Sequence, residues 1–275
     1  MATTGLPTAP IAPMLAKIAD ALPTGEGFLF EPKWDGFRAL VFRGAEQTYL
    51  QSRDLRPLNR YFPELEKALH EALPKGCVLD GEFVVAGAKG LDFDALQQRI
   101  HPAPSRVARL SKETPAGFVA FDLLAAGGKS TMELPQSERR VRLERLLGKA
   151  RPPLYLTPVT RDRAQAQEWL AKFEGAGLDG VIAKLESATY QPGKRAMLKI
   201  KHVRSGASSL ASSSRTAMVN AEVTPTWCST PASSYRPSSS EPTASSRSLY
   251  QRKPATTQSA LRTCLILSIV RLPGW

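Results

Sequence analysis

The segment Phe30-Glu-Pro-Lys-Trp-Asp-Gly-Phe-Arg38 brings a lysine, Lys33, out of an apolar, strand-like run, with Asp35 and Gly36 behind it. Glycine permits a tight backbone bend there. A lysine amine attacks phosphorus only after losing its proton, and nearby cations favour that loss because they disfavour another positive charge. Other lysines should therefore converge on Lys33, and three lie downstream. Lys184 closes Leu178-Asp-Gly-Val-Ile-Ala-Lys184, while Lys199 and Lys201 alternate in Met197-Leu-Lys-Ile-Lys-His202. Side chains two residues apart share one face of a strand, so Lys199 and Lys201 are expected to point the same way and to hold phosphates.

Between these segments lies Val78-Leu-Asp-Gly-Glu-Phe-Val84, in which Asp80 and Glu82 interrupt an otherwise apolar strand. Carboxylates placed there suit ribose hydroxyls or a hydrated Mg²⁺, because hard cations take oxygen ligands. Each piece alone has a plainer reading. Lys-x-Asp-Gly occurs by chance, Asp80-Gly81 makes an ordinary turn, and Lys199 with Lys201 fits a solvated strand face.

The elements that must position these groups alternate between strand-like and helix-like patterns up to about residue 204, which predicts a mixed α/β (α+β) domain. Strands are expected over Gly27 to Pro32, Phe37 to Phe42, Cys77 to Val85, Gly117 to Leu124 and Gly180 to Lys184. Helices are expected over Tyr61 to Ala72, Asp92 to Ile100, Gln136 to Gly148 and Asp162 to Gly175. The last has Thr160 ahead of it as a cap, with Ala166, Trp169, Leu170 and Phe173 forming one apolar stripe that belongs to the core.

In their order and separations, the lysine and carboxylate motifs resemble the nucleotidyltransferase superfamily of ATP-dependent DNA ligases, RNA ligases and mRNA capping enzymes. Pro10-Ile-Ala-Pro-Met-Leu-Ala16, Phe93-Asp-Ala-Leu-Gln-Gln-Arg99 and Phe118-Val-Ala-Phe-Asp-Leu-Leu124 are similar to the small bacterial ATP-dependent DNA ligases and to ligase domains of bacterial end-joining enzymes, over roughly residues 11 to 204. The resemblance implies the adenylation domain of the ATP-grasp-like DNA ligase and capping enzyme fold. It implies that Lys33 takes AMP as a phosphoramide, that Glu31 lies near the adenine, that Phe121 stacks on the base and that Glu82 contacts ribose or metal. Arg38 and Arg53 would address the nucleotide or the phosphate at a nick, and Lys184, Lys199 and Lys201 would hold phosphates. Asp179 stands where many relatives carry a metal-holding glutamate, with one methylene less reach. Phe121 also reads as core, beside Phe118. The implied reaction uses ATP with Mg²⁺ or Mn²⁺. AMP goes to Lys33, then to a DNA 5′-phosphate, and a 3′-hydroxyl displaces it, sealing nicked double-stranded DNA in repair or recombination. An RNA ligase, a GTP-using capping enzyme and an inactive nucleotide-binding remnant are the competing readings.

Composition is ordinary for a soluble protein with a sizeable core, 42% hydrophobic and 23% charged, and a monomer is expected. The net charge of +12 favours a polyanionic partner. From Ser205 onward, however, the chain has 17 serines, seven Arg and Lys and only two acids, so this tail supplies 5 of the 12 charges. Residues 1–204 are expected to be the catalytic domain and 205–275 an unfolded tail, without the alternation of an OB-fold that such ligases carry next. The tail resembles a GC-rich gene read in the wrong frame, which predicts weak or absent ligation despite an intact pocket. Cys77, Cys228 and Cys264 lack metal-site spacing. The apolar run Cys264 to Val270 is far shorter than the roughly 20 residues of a membrane span. No basic-then-apolar leader is visible, so a cytoplasmic protein without a membrane partner is expected.

Overall fold

Two twisted sheets organise the chain, and the expected catalytic lysine sits where it passes from one to the other. In the computed structural model, residues 5–201 are described, except 89, 102, 173–177 and the side chain of 172. The first sheet runs β1 (Leu15–Ala19), β10 (Arg195–Lys201), β9 (Leu178–Leu185), β2 (Phe28–Trp34); β1 is parallel to β10 and the other pairs are antiparallel. The second is antiparallel in the order β4 (Thr48–Ser52), β3 (Phe37–Arg43), β5 (Cys77–Val85), β6 (Ala116–Ala126), β7 (Lys129–Ser130), with β8 (Leu154–Leu156) parallel to β6. Asp35 and Gly36 carry the chain from β2 in the first sheet to β3 in the second.

The expected bend falls at Gly36, and close packing gives a second reason for glycine there. Its φ is not positive, but a Cβ at this position would run into the Phe83 carbonyl of β5. The residue is small so that β3 can lie close to β5.

The central strands β5 and β6 are covered on both faces, which explains their nearly continuous apolar sequences. One face packs on α1 (Pro63–Ala72), α2 (Phe93–Gln97) and α4 (Gln136–Leu147) through Leu65, Leu69, Leu96, Leu143 and Leu147. A second cluster joins Phe30, Trp34, Val119 and Val181 to Ala166, Trp169 and Leu170 of α5 (Arg163–Lys172). A third joins Ile11 and Met14, ahead of β1, to Leu40, Val78, Leu124, Tyr190 and Met197.

The helices begin where local chemistry satisfies their free amides. Pro63 opens α1, whose first turn holds Glu64 and Glu66 at the positive end of the helix dipole. Asp92 caps α2, its Oδ1 accepting the Ala95 amide at 2.8 Å. That helix is shorter than expected because its continuation tightens: the amides of Arg99 and Ile100 bond three residues back. At α5 the capping carboxylate is Asp162, which accepts the Ala164 amide, whereas Thr160 accepts the Asp162 amide one step earlier. The expected stripe holds for Ala166, Trp169 and Leu170; Phe173 and the tail 205–275 lie outside the described residues. Among the described residues, no helix is long and apolar enough to cross a membrane.

Candidate active site

A cleft of about 190 Å³ receives side chains from both sheets. Leu15 and Ala16 come from β1, Glu31 to Trp34 from β2, Ile182 and Lys184 from β9, and Arg195, Met197 and Lys199 from β10. The second sheet contributes Arg38, Glu82 and Phe121, and the turn after β4 contributes Arg53. The period of two explains the spacing: 182 and 184, and 195, 197 and 199, each fall on one face.

Lys33 stands opposite Gly180, but Trp34 stands opposite Leu178, so the β2–β9 register skips Asp179. Such a bulge re-aims the extra residue. The Asp179 carboxylate turns to Lys33, Oδ2 accepting from Nζ at 2.9 Å, while Lys201 Nζ lies 3.4 Å from the same oxygen. Burial works to raise the pKa of Asp179, but Lys33 and Lys201 together hold it below the usual carboxylate value. Lys199 is held below the ordinary lysine range, first by burial and then by the charges of Lys201, Lys33, Arg195 and Arg53. The cations therefore do converge, but around an acid that the lysine argument left aside.

Deeper in the cleft, Glu31 is 2% exposed and Lys184 3%. Lys184 Nζ lies 2.8 Å from Glu31 Oε2 and donates to the Phe121 carbonyl at 3.0 Å. Arg140 of α4 approaches Glu31 Oε1 only to 3.9 Å, leaving that buried oxygen without a hydrogen-bond donor among the described residues. Phe121 is 8% exposed and lines the cleft. The Arg38 guanidinium lies 4.4 Å and the Lys184 ammonium 4.8 Å from its ring centroid, so at least one ring face already carries a cation.

Asp80 does not share the role of Glu82. It is fully buried and accepts a two-pronged contact from Arg38, at 2.5 Å to Oδ1 and 2.6 Å to Oδ2, together with the Tyr190 hydroxyl at 2.7 Å. Only Glu82 of this pair reaches the cleft. Its carboxyl is pushed up to about 7, chiefly by burial, against the pull of Arg38 and Lys33 and with help from Asp80 and Asp35.

The structure thus gathers Lys33, Glu31, Arg38, Arg53, Glu82, Phe121, Lys184 and Lys199 along one cleft; Asp179 joins it through Lys33, and Lys201 through Asp179. Arg140 and Tyr190 were missed. Their partners lie far away in sequence, Tyr190 being 110 residues from Asp80, so no local pattern marks them. Among the described residues no three metal-ligating side chains cluster. A divalent ion near Glu82 or Asp179 would therefore take most of its shell from phosphate oxygens and water, the usual habit of Mg²⁺. The two hard oxygen donors fit that arrangement.

Residues 12–201 match the family model of the ATP dependent DNA ligase domain. DNA ligase C of Mycobacterium tuberculosis is 54% identical over 199 residues, covering 71% of this chain and 55% of that protein. DNA ligase C1 of Mycolicibacterium smegmatis is 50% identical over 200 residues, covering 71% of this chain and 57% of its own. A solved structure of a mycobacterial DNA ligase D complexed with ATP and MES is similar at a TM-score of 0.56 and 32% identity, over 70% of this chain and 60% of that one. The chain spans about half the length of the curated relatives it matches. The matched stretch contains both sheets and every residue of the cleft, and its mixed α/β fold is that of the ligase nucleotidyltransferase domain. By sequence and by fold, this chain belongs to the ATP-dependent DNA ligase domain family.

Proposed function

We propose that this chain is the catalytic core of an ATP-dependent DNA ligase, with Lys33 as the residue that carries AMP to the 5′-phosphate of nicked double-stranded DNA. Lys33 Nζ, once unprotonated, attacks the α-phosphorus of ATP. The N–P bond forms as the bond to the β-phosphate oxygen breaks, and pyrophosphate leaves. A DNA 5′-phosphate oxygen then displaces Lys33, and the neighbouring 3′-hydroxyl displaces AMP to join the strands. Lys199 and Lys201, with Arg38 and Arg53, supply cations for the charge on the transferring phosphates. Mg²⁺ or Mn²⁺ near Glu82 and Asp179 would offset further phosphate charge.

The observation that carries this reading is the single cleft that joins the Lys33 amine, five further cations and a buried carboxylate oxygen lacking a donor among the described residues. That oxygen, Glu31 Oε1, also bears on the choice of base. The 6-amino group of adenine would supply that donor. The family match favours ATP over the GTP of a capping enzyme.

The test incubates the full chain with α-labelled ATP or GTP, then chases the labelled protein with nicked DNA or nicked RNA. Labelling by ATP and transfer to DNA are expected. Labelling by GTP alone, or transfer to RNA alone, would overturn the reading.

A further inference from the structure

Tyr190 lies in the loop between β9 and β10, does not line the cleft, and is 4% exposed. Its hydroxyl donates to Asp80 Oδ2 at 2.7 Å and accepts the Met14 amide at 2.9 Å. Asp80 grips Arg38, and Arg38 Nη2 donates to the Met14 carbonyl at 3.2 Å. These bonds close a ring: Tyr190 to Asp80, to Arg38, to Met14 and back. Burial and the adjoining Asp80 raise the phenol pKa well above its usual value, so the hydroxyl keeps the proton that it donates.

The ring is braced from behind. The Tyr190 amide donates to the Met132 carbonyl, and the Arg139 guanidinium lies 5.8 Å from the tyrosine ring. Arg139 is itself buried on Asp122, next to Phe121 in β6. On the cleft side, the ring ends at three lining groups: Arg38, which rests on Phe121, and Leu15 and Ala16, which follow Met14. Lys33, Lys199 and Lys201 are not members.

We propose that Tyr190 is a positioning residue for nucleotide binding, its hydroxyl fixing Arg38 against Phe121 and the Met14–Ala16 segment along the cleft wall. The role rests on the nucleotide-transfer reading given above. A hydroxyl that both donates and accepts is required, because only such a group can serve a carboxylate and an amide together. Ring closure lowers the cost of ordering the cleft when nucleotide arrives, and it leaves the chemistry at Lys33 untouched. The effect belongs in KM for ATP and not in the rate at saturation.

The test compares Tyr190→Phe with wild type and with Thr131→Val in the full chain. Thr131 is equally buried and loses one hydroxyl bond, to the Leu123 carbonyl, away from the cleft. In Tyr190→Phe, KM for ATP in Lys33 adenylation should rise about fivefold to tenfold, with the saturated rate within about twofold of wild type. Thr131→Val should leave KM unchanged. Amide exchange at Met14, Leu15 and Ala16 should quicken in the nucleotide-free Tyr190→Phe variant alone. If the wild type takes AMP normally and Tyr190→Phe matches Thr131→Val in KM and in exchange, the positioning role is overturned by itself. A wild-type chain that never takes AMP overturns the nucleotide-transfer reading and this role with it.

Discussion

Glu82 is the residue whose chemistry is most exposed to measurement. Its carboxyl has a folded value of about 7 against an ordinary 4.5, because loss of solvent penalises its charged form more than Arg38 and Lys33 favour it. A carboxyl raised by folding binds its proton more tightly in the fold. Its contribution to stability is therefore complete below 4.5 and is lost as pH rises through about 7. Thermal unfolding of the nucleotide-free chain across that window should show wild type losing stability relative to Glu82→Gln, and parallel curves for the two would contradict the assignment. Binding of ATP with Mg²⁺ near neutral pH should expel part of the same proton. Calorimetry in two buffers of different ionisation enthalpy would detect it, and identical apparent enthalpies would speak against it. Lys33, Glu82, Lys199 and Lys201 were legible in the sequence because each sits in a short motif with its neighbours. Asp80 was legible as a carboxylate but not as the grip on Arg38, since Arg38 lies 42 residues away on the neighbouring strand.

At the scale of elements, the β2–β9 pairing aims Lys33 and Asp179 at each other. Gly180 holds φ at +141°, and a Cβ there would strike the Ile200 carbonyl of β10. Gly180→Ala should cost about 2 to 4 kcal/mol in denaturant unfolding. A loss below about 0.5 kcal/mol would mean that the strands are not so close there. Trp169→Ala should cost about 3 to 5 kcal/mol by emptying the cluster between α5 and the sheets, a loss that should appear in stability before any change in nucleotide affinity. The sequence read β5 to the residue because both its faces are buried and its composition is uniformly strand-like. It missed β1, a half-exposed edge strand, the short strands β4, β7 and β8, and α3 (Pro104–Glu113), which buries only Val107 and Leu110. Partly buried elements carry weaker patterns because solvent tolerates almost any residue on their open faces.

Among the described residues of the whole molecule, the three apolar clusters and the cleft draw on residues between 11 and 200. On the serine-rich composition of residues 205–275, a chain ending at Arg204 should unfold in one cooperative transition at the midpoint of the full chain and bind ATP as the full chain does. A lower midpoint or weaker binding would show that residues beyond 204 take part. Within this framework the central claim concerns one bond, between Lys33 Nζ and the phosphorus of AMP. The most direct measurement is the intact mass of the full chain after incubation with ATP and Mg²⁺, with Lys33→Ala alongside. One added adenylyl group in wild type and none in the variant is the expected result; an equal adduct in both, or no adduct in wild type, would contradict the assignment of Lys33.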